Sequence, residues 1–279
     1  MTRAMLITHM HPEAASEAVV ATAKAAKDAG VELICTPDEH DKHGRFAEGI
    51  IRVEDGERPD VCIVLGGDGS ILYALRRFAH TGVPVFGINF GTVGFLAAVE
   101  RDELQEGLRR AFSGDFEAMD LPALTVDLPL EMPVALNDVS LVRRPHGRVA
   151  ELSYSIGDEE VGSVRCDGLV AATPAGSTGY NLANAGPILA WGVKGYVVSF
   201  IAPHTLSARA LVVAPDDALQ VMNAAGREPV EISLDGEGVG ELAPGDALEI
   251  RFKEGVSCLA QLQGASFYHR IREKFGKLA

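Results

Sequence analysis

Asp60-Val-Cys-Ile-Val-Leu65, followed at once by Gly66-Gly-Asp-Gly-Ser70, decides the reading of the fold. A short, unbroken apolar run is what a strand buried on both faces of a parallel sheet looks like. The glycines then interrupt the chain, and a helix is predicted from the loop through Ala79. Toward the N-terminus, Met5-Leu-Ile-Thr8 reads as a strand. Pro12 to Ala29 is alanine-rich and helical, with Gly30 as its stop. Val31 to Cys35 is a second strand, Pro37 to His43 a polar loop, and Gly44 to Val53 a weakly patterned helix. Toward the C-terminus, Val83 to Ile88 is another buried strand, Asn89 to Gly94 is glycine-rich, and a helix spans Glu100 to Phe112. This β-α alternation predicts an α/β domain with a mostly parallel sheet.

Past Asp115 the pattern changes. Strand-like runs separated by Pro, Gly and Asp turns occupy Ala123 to Leu128, Val134 to Val142, Glu151 to Ile156, Gly168 to Ala172 and Tyr196 to Ile201. They continue at Leu211 to Ala214, Val230 to Leu234, Ala247 to Phe252 and Val256 to Leu262. Short strands at this spacing predict a β-rich, mainly antiparallel domain. The last stretch, Gly264 to Leu278, reads as a helix with Phe267, Ile271 and Phe275 on one face. Arg270, Arg272, Lys274 and Lys277 form its basic polar side. The expected organisation is an α/β domain over 1–115, a β-rich domain over 116–262, and a helix over 263–279 that returns to the first domain.

Apolar residues make up 47% of the 279-residue chain and charged residues 23%, a globular composition that argues against disorder or coiled coil. Lys and Arg total 25 against 39 Asp and Glu, a net charge of −14. A nucleic-acid binder is usually basic, so that class is disfavoured. No run approaches a bilayer span, and Met1 to His11 lacks the pattern of a signal peptide. Cys35, Cys62, Cys166 and Cys258 are scattered without a Cys-x-x-Cys pair. They read as reduced thiols of a cytoplasmic protein.

Gly66–Ser70 follows a buried strand, where open α/β sheets bind ligands. Missing side chains let backbone N–H groups approach phosphate oxygens, and a helix start adds positive potential. Asp68 can accept a hydroxyl proton or stand beside Mg²⁺. The plainer alternative is a tight turn in which Asp68 or Ser70 caps the helix. Neither Gly-x-Gly-x-x-Gly nor a P-loop is present. Thr173-Pro-Ala-Gly-Ser-Thr-Gly-Tyr180, with Asn181 and Gly186-Pro187 after it, offers hydroxyls to a polar ligand and a ring to a base. Its alternative is a capped short helix with Tyr180 in the core. Asn137-Asp138 can read ribose hydroxyls or form an Asx turn. Arg143, Arg144 and Arg148 read as a solvated hairpin tip. His204 is the histidine to watch, although a lone loop histidine is usually not catalytic.

Together, Gly66–Ser70, Asn137-Asp138, the run from Asp167-Gly168 through Tyr180, and Pro203-His-Thr-Leu-Ser207 resemble the NAD kinase family. Gly87-Ile-Asn to Gly94-Phe-Leu96 resembles a further segment of that family. The resemblance implies phosphoryl transfer from ATP or polyphosphate to the 2′-hydroxyl of the adenosine ribose of NAD. It implies a divalent metal such as Mg²⁺, NAD bound between two domains, and a homodimer or homotetramer. By position, Asp68 is the catalytic acidic residue, and Gly66, Gly67, Gly69 and Ser70 form the donor phosphate loop. Asn137 and Asp138 hold the nicotinamide-side ribose, and Asp167 orients the nicotinamide end. Thr178, Tyr180 and Phe95 lie against the bases, with Gly69 beside NAD. Arg165, Ala175 and His204 complete the candidate set. Asp138 stands where Glu is more frequent, Ala175 where Thr or Ser is usual, and Gly179 where Ala is usual. The alternatives are another Gly-Gly-Asp-Gly kinase, acting on a sugar phosphate or lipid, and a silent dinucleotide-binding regulator.

Overall fold

A computed structural model describes residues 2–9, 15–91, 94–224, 228–264 and 267–276. The chain forms two compact units, Met1–Asp120 with Val256–Ala279, and Leu121–Gly255.

The first unit opens with β1 (Arg3–Thr8), α1 (Ser16–Asp28), β2 (Glu32–Cys35), α2 (Pro37–His43), β3 (Ile51–Arg52), β4 (Val61–Gly66) and α3 (Asp68–Arg77). β5 (Pro84–Asn89), β6 (Val99–Glu100) and α4 (Leu104–Ser113) follow. The strands run parallel in the order β5-β4-β1-β2-β3, with β6 beside β5. All six residues of β4 are buried, as its unbroken apolar run requires. Strand order reverses between β1 and β4, so the switch point lies where Thr8 and Gly66 end their strands. Open α/β sheets bind ligands at such a point.

The second unit holds β7 (Glu117–Val126, which begins in the first), β8 (Val134–Ala135), β9 (Asp138–Arg143), β10 (Ala150–Ile156), β11 (Glu159–Cys166) and β12 (Gly168–Ala172). After α5 (Tyr180–Ala183) come β13 (Tyr196–Ile201), β14 (Leu211–Val213), β15 (Leu219–Asn223), β16 (Val230–Leu234) and β17 (Glu237–Leu242). One antiparallel sheet has the order β14-β13-β12-β9-β16-β17. Facing it, β11, β10, β15 and the first half of β18 (Ala247–Gln261) pair antiparallel in that order. Leu141, Leu169, Val198 and Ile232 of one sheet share a core with Leu152, Val221, Leu248 and Ile250 of the other. The last residues of β18 pair parallel with β5, and α6 (Phe267–Phe275) ends the first unit. Among the described residues no helix is long and apolar enough to cross a membrane.

Several local expectations are corrected. Residues 37–43 form a helix rather than a polar loop. Thr36 accepts a hydrogen bond from the Glu39 N–H, Pro37 sits in the first turn, and Asp38 and Glu39 suit its positive end. The expected helix over 44–53 is a single 3-10 turn, Gly44–Ala47, followed by β3. The runs 247–252 and 256–262 are one strand that passes through Gly255 at φ +63°, a value glycine takes without strain. β11, β15 and β17 are strands that the apolar pattern does not single out. Arg270 is not on a solvated face: it is buried and donates to Phe95 O (3.0 Å), Ala97 O (2.6 Å) and the Gln261 side chain. Lys277, the start of the first helix at Pro12, and residues 265–266 and 278 of the expected last helix lie outside the described residues.

Candidate active site

Each unit carries its own group of candidate residues. In the first, β4 delivers Gly66 to the switch point and α3 begins at Asp68 without a pause. The helix is capped by Gly67 with no side-chain cap, so neither Asp68 nor Ser70 serves as the cap. Asp68 instead turns its carboxylate to a distant loop: Oδ2 accepts from Phe95 N–H and Oδ1 from Leu96 N–H, both at 3.0 Å. Burial pushes the Asp68 carboxyl above its ordinary value, while the two amides and the charges of Arg270 and Lys274 pull it back. Arg270, by bonding the carbonyls of Phe95 and Ala97, fixes the segment whose N–H groups hold Asp68. The Phe95 ring packs on Phe275, centroids 5.5 Å apart.

The glycines of the loop differ in what surrounds them. A Cβ on Gly66 would lie 2.5 Å from Ser70 Oγ, so that position admits only glycine without local movement. A Cβ on Gly69 would meet nothing within 4 Å, which leaves its backbone open to an approaching ligand. Gly67, Gly69 and Ser70 line a cavity of about 810 Å³ at the strand ends.

In the second unit, Asp235 organises the dinucleotide candidates. It occupies the tip of the β16–β17 hairpin with Gly236, both at positive φ (51° and 82°), as an Asp-Gly two-residue turn does. Its carboxylate accepts from the N–H groups of Leu136 (3.0 Å), Asn137 (2.6 Å) and Asp138 (3.1 Å). Behind the same segment, Thr173 Oγ1 donates to Leu136 O at 2.6 Å, and Thr173 N–H donates to Asn137 O at 2.9 Å. Asp138 is buried, and burial together with the Asp235 charge pushes its carboxyl up to about 7.

Tyr180 is part-exposed, not a core residue, and its hydroxyl is held above its ordinary value by burial and by the charges of Asp138 and Asp167. Asp167 pairs with Arg143 at 2.6 Å, which keeps its carboxyl low. Arg143 therefore belongs to this cluster rather than to a solvated tip. His204 donates its backbone N–H to Arg165 O at 2.8 Å, and both residues line a shallow cleft of about 490 Å³. Thr178 is half-buried, its hydroxyl bonded to Ala175 O at 3.3 Å. Ser177 and Asn181 are fully buried and engaged internally: Ser177 Oγ bonds Pro174 O and Leu189 N–H, and Asn181 Nδ2 bonds Ser177 O and Pro187 O. Their task is to shape the loop that carries Thr178 and Tyr180.

Sequence reasoning missed Asp235 and misplaced Arg270. The Asp-Gly dipeptide between two apolar runs was a signal for the first. For the second there was only the spacing, since Arg270 lies one residue from Ile271 on the helix face that packs inward.

A parallel sheet whose switch point carries a glycine loop, the acidic Asp68 and a cavity suits a phosphotransferase that takes a polyphosphorylated donor. The ATP-NAD kinase N-terminal domain model matches residues 5–116, and the ATP-NAD kinase C-terminal domain model matches residues 136–256. The NAD kinase of Symbiobacterium thermophilum is 40% identical over 220 residues, covering 77% of this chain and 78% of that protein. The NAD kinase of Heliobacterium modesticaldum is 36% identical over 221 residues, covering 77% and 78%. Among solved structures, yeast NADH kinase complexed with NADH superposes with a TM-score of 0.89 at 22% identity, over 100% of this chain and 89% of that one. An NAD kinase from Archaeoglobus fulgidus in complex with ATP gives 0.73 at 23% identity, over 99% and 98%. The chain belongs to the NAD kinase family.

The Asp138 carboxyl sets a testable pH dependence. In the ribose-binding role that the family resemblance gives it, the ionised carboxylate is the stronger acceptor for a hydroxyl and the protonated form the weaker one. With its pKa pushed up to about 7, roughly nine-tenths of it is ionised at pH 8 and about one-tenth at pH 6. KM for NAD should therefore rise about tenfold between pH 8 and pH 6, and Asp138→Asn should flatten that rise. A wild-type KM that is level across this range removes Asp138 from the binding role.

Proposed function

We propose that this enzyme transfers the terminal phosphoryl group of its donor to the 2′-hydroxyl of the adenosine ribose of NAD, giving NADP. The observation that carries the reading is Asp68, the carboxylate at the start of α3, oriented by two amides, with burial holding its carboxyl above the ordinary value. It accepts the 2′-hydroxyl proton as that oxygen bonds to phosphorus and the bond to the donor's leaving oxygen breaks. The N–H groups of Gly67, Asp68 and Gly69 at the α3 N-terminus hold the donor phosphates. In the second unit Asn137 and Asp138 take the nicotinamide-side ribose, Asp167 the nicotinamide end, and Thr178 and Tyr180 the bases. Family membership supports these assignments, and adds Phe95 for the adenine.

Among the described residues no three His, Cys, Asp or Glu side chains come together as a metal cage. The donor set fits an ion carried in on the donor phosphates, as Mg²⁺ usually is, with Asp68 as the protein carboxylate nearest the glycine loop. Such an ion, when bound, neutralises phosphate charge. The free, buried state of all four cysteines supports a reducing, cytoplasmic setting. Assembly as a homodimer or homotetramer rests on family membership alone.

The test is direct: incubate the chain with NAD, Mg²⁺ and either ATP or polyphosphate, and detect product with an NADP-specific dehydrogenase. NADP formed in proportion to enzyme is the expected result. NAD binding without product under either donor points to a regulator, and no NAD binding to a kinase of another substrate.

A further inference from the structure

We propose that Arg270 of α6 is a positioning residue for Asp68, and that it acts across the one peptide group that joins Phe95 to Leu96. This rests on the proposed reaction, in which Asp68 is the base, and adds a residue that works through another. Residues 94–98 belong to no helix or strand, yet Phe95, Leu96 and Ala97 are buried. Buried backbone groups without a ladder need other partners. Three side chains supply them, from two sides. Asp68 takes the N–H groups of Phe95 and Leu96, both at 3.0 Å. From the other side Arg270 donates to Phe95 O at 3.0 Å and to Ala97 O at 2.6 Å. Gln261 Nε2 donates to Leu96 O at 2.9 Å, and Gln261 Oε1 in turn accepts from Arg270.

The peptide group between Phe95 and Leu96 is thus held at both ends, its oxygen by Arg270 and its N–H by Asp68. A peptide group is planar and stiff, so fixing its oxygen fixes the direction in which its N–H meets the carboxylate. A carbonyl that accepts from a guanidinium also makes the N–H of its own peptide a stronger donor. Arg270 is buried, and burial lowers its pKa, but a guanidinium stays charged. Its charge and that of Lys274 favour the ionised form of Asp68 against the burial that opposes it. Glu273 on α6 and Glu100 at the end of β6 act on Arg270. The helix is seated by the same segment, through Phe275 on the Phe95 ring and Lys274 on Glu100 at 3.5 Å. The fork therefore does more than close a helix onto a loop. It sets the donors that aim the base.

Two measurements with the full chain test this. The first is the pH profile of kcat for NADP formation. The second is the titration of the Asp68 carboxyl by carbon-13 NMR, which needs no turnover, with Asp68→Asn identifying the resonance. Arg270→Met should lower kcat about tenfold or more, with KM for the donor changing less than about twofold. Without the positive charge the Asp68 pKa rises, so its base form is lost at a higher pH. The acid limb of kcat and the Asp68 midpoint should both move up by about half a pH unit or more. Arg270→Lys keeps the charge but not the planar fork. It should leave the acid limb near that of wild type while kcat stays about fivefold or more below it. Arg272→Gln, an exposed position of the same helix, should change neither quantity. A folded Arg270→Met enzyme whose acid limb and Asp68 midpoint match wild type has lost only packing, and overturns the inference whatever its kcat. Should Arg270→Met fail to fold, Arg270→Lys decides, and wild-type kcat in that variant overturns the inference. If the wild-type chain makes no NADP from any donor, the reaction assignment has failed. The Asp68 midpoint then still decides for Arg270: higher in Arg270→Met supports it, and unchanged overturns it.

Discussion

Asp68→Asn should lower kcat by about a thousandfold, within the 10²–10⁴ range of a lost general base. That is about 4 kcal/mol of transition-state stabilisation. Two effects combine. The amide cannot take the 2′-hydroxyl proton, and the negative charge at the α3 N-terminus disappears. A third effect is structural: the carboxylate accepts from both Phe95 and Leu96 N–H groups, whereas an asparagine amide has one acceptor and turns its NH₂ toward the other donor. A buried donor left facing a donor costs about 1–3 kcal/mol. The variant should therefore melt a few degrees lower while remaining folded, which circular dichroism separates from the loss of kcat. The dinucleotide candidates Asn137, Asp138, Asp167 and Tyr180 belong to the other unit, so any rise in KM for NAD should be small and come through Phe95, whose N–H Asp68 holds. A folded Asp68→Asn enzyme that keeps more than a tenth of wild-type kcat would remove Asp68 from the chemistry.

Reading the sequence succeeded where one local pattern has one cheap structural solution. The apolar run before Gly66 had to be a doubly buried strand, and the short turn-bounded runs beyond Asp115 had to pair as antiparallel sheets. It failed where the partner is a backbone group or lies far along the chain. Asp68 looks like a helix cap from its neighbours alone, because the amides that claim it are 27 and 28 residues away. Asp235 and the Asn137 N–H it holds are 98 residues apart, and only hairpin geometry joins them. Arg270 looks like a solvated charge until Phe95 O, Ala97 O and Gln261 are seen around it. The hydroxyls of Thr173 and Ser177 resemble ligand donors in sequence, yet both are spent on the backbone of their own unit. The polar stretch 37–43 carried a full helix-start signature in Thr36-Pro-Asp-Glu39, and its lack of an apolar stripe hid it.

Gly176→Ala should be the most disruptive small substitution in the second unit. A Cβ at this position would sit 2.0 Å from Asn137 O, 2.3 Å from its C and 2.5 Å from its Cα. All three are backbone atoms, so no side-chain rotation relieves the contact. Asn137 is not free to retreat either. Its N–H is held by Asp235 at 2.6 Å, its carbonyl by Thr173 N–H at 2.9 Å, and Gly176 N–H itself is held by Thr173 Oγ1 at 3.1 Å. Relief requires breaking part of this network, and overpacking of a fixed backbone costs about 1–3 kcal/mol before any hydrogen bond is lost. With one or two of those bonds broken the total reaches about 3–5 kcal/mol. Melting should fall by about 10 °C or more on the usual scale for a domain of this size. Since Asn137 and Asp138 move with the carbonyl that is struck, KM for NAD should rise at least tenfold in whatever fraction remains folded. Gly192→Ala is the matched control, because a Cβ there meets nothing within 4 Å and the glycine has no positive φ. Equal melting temperatures for the two variants would show that the Thr173–Thr178 loop and the Asn137 segment are not packed as tightly as these distances require.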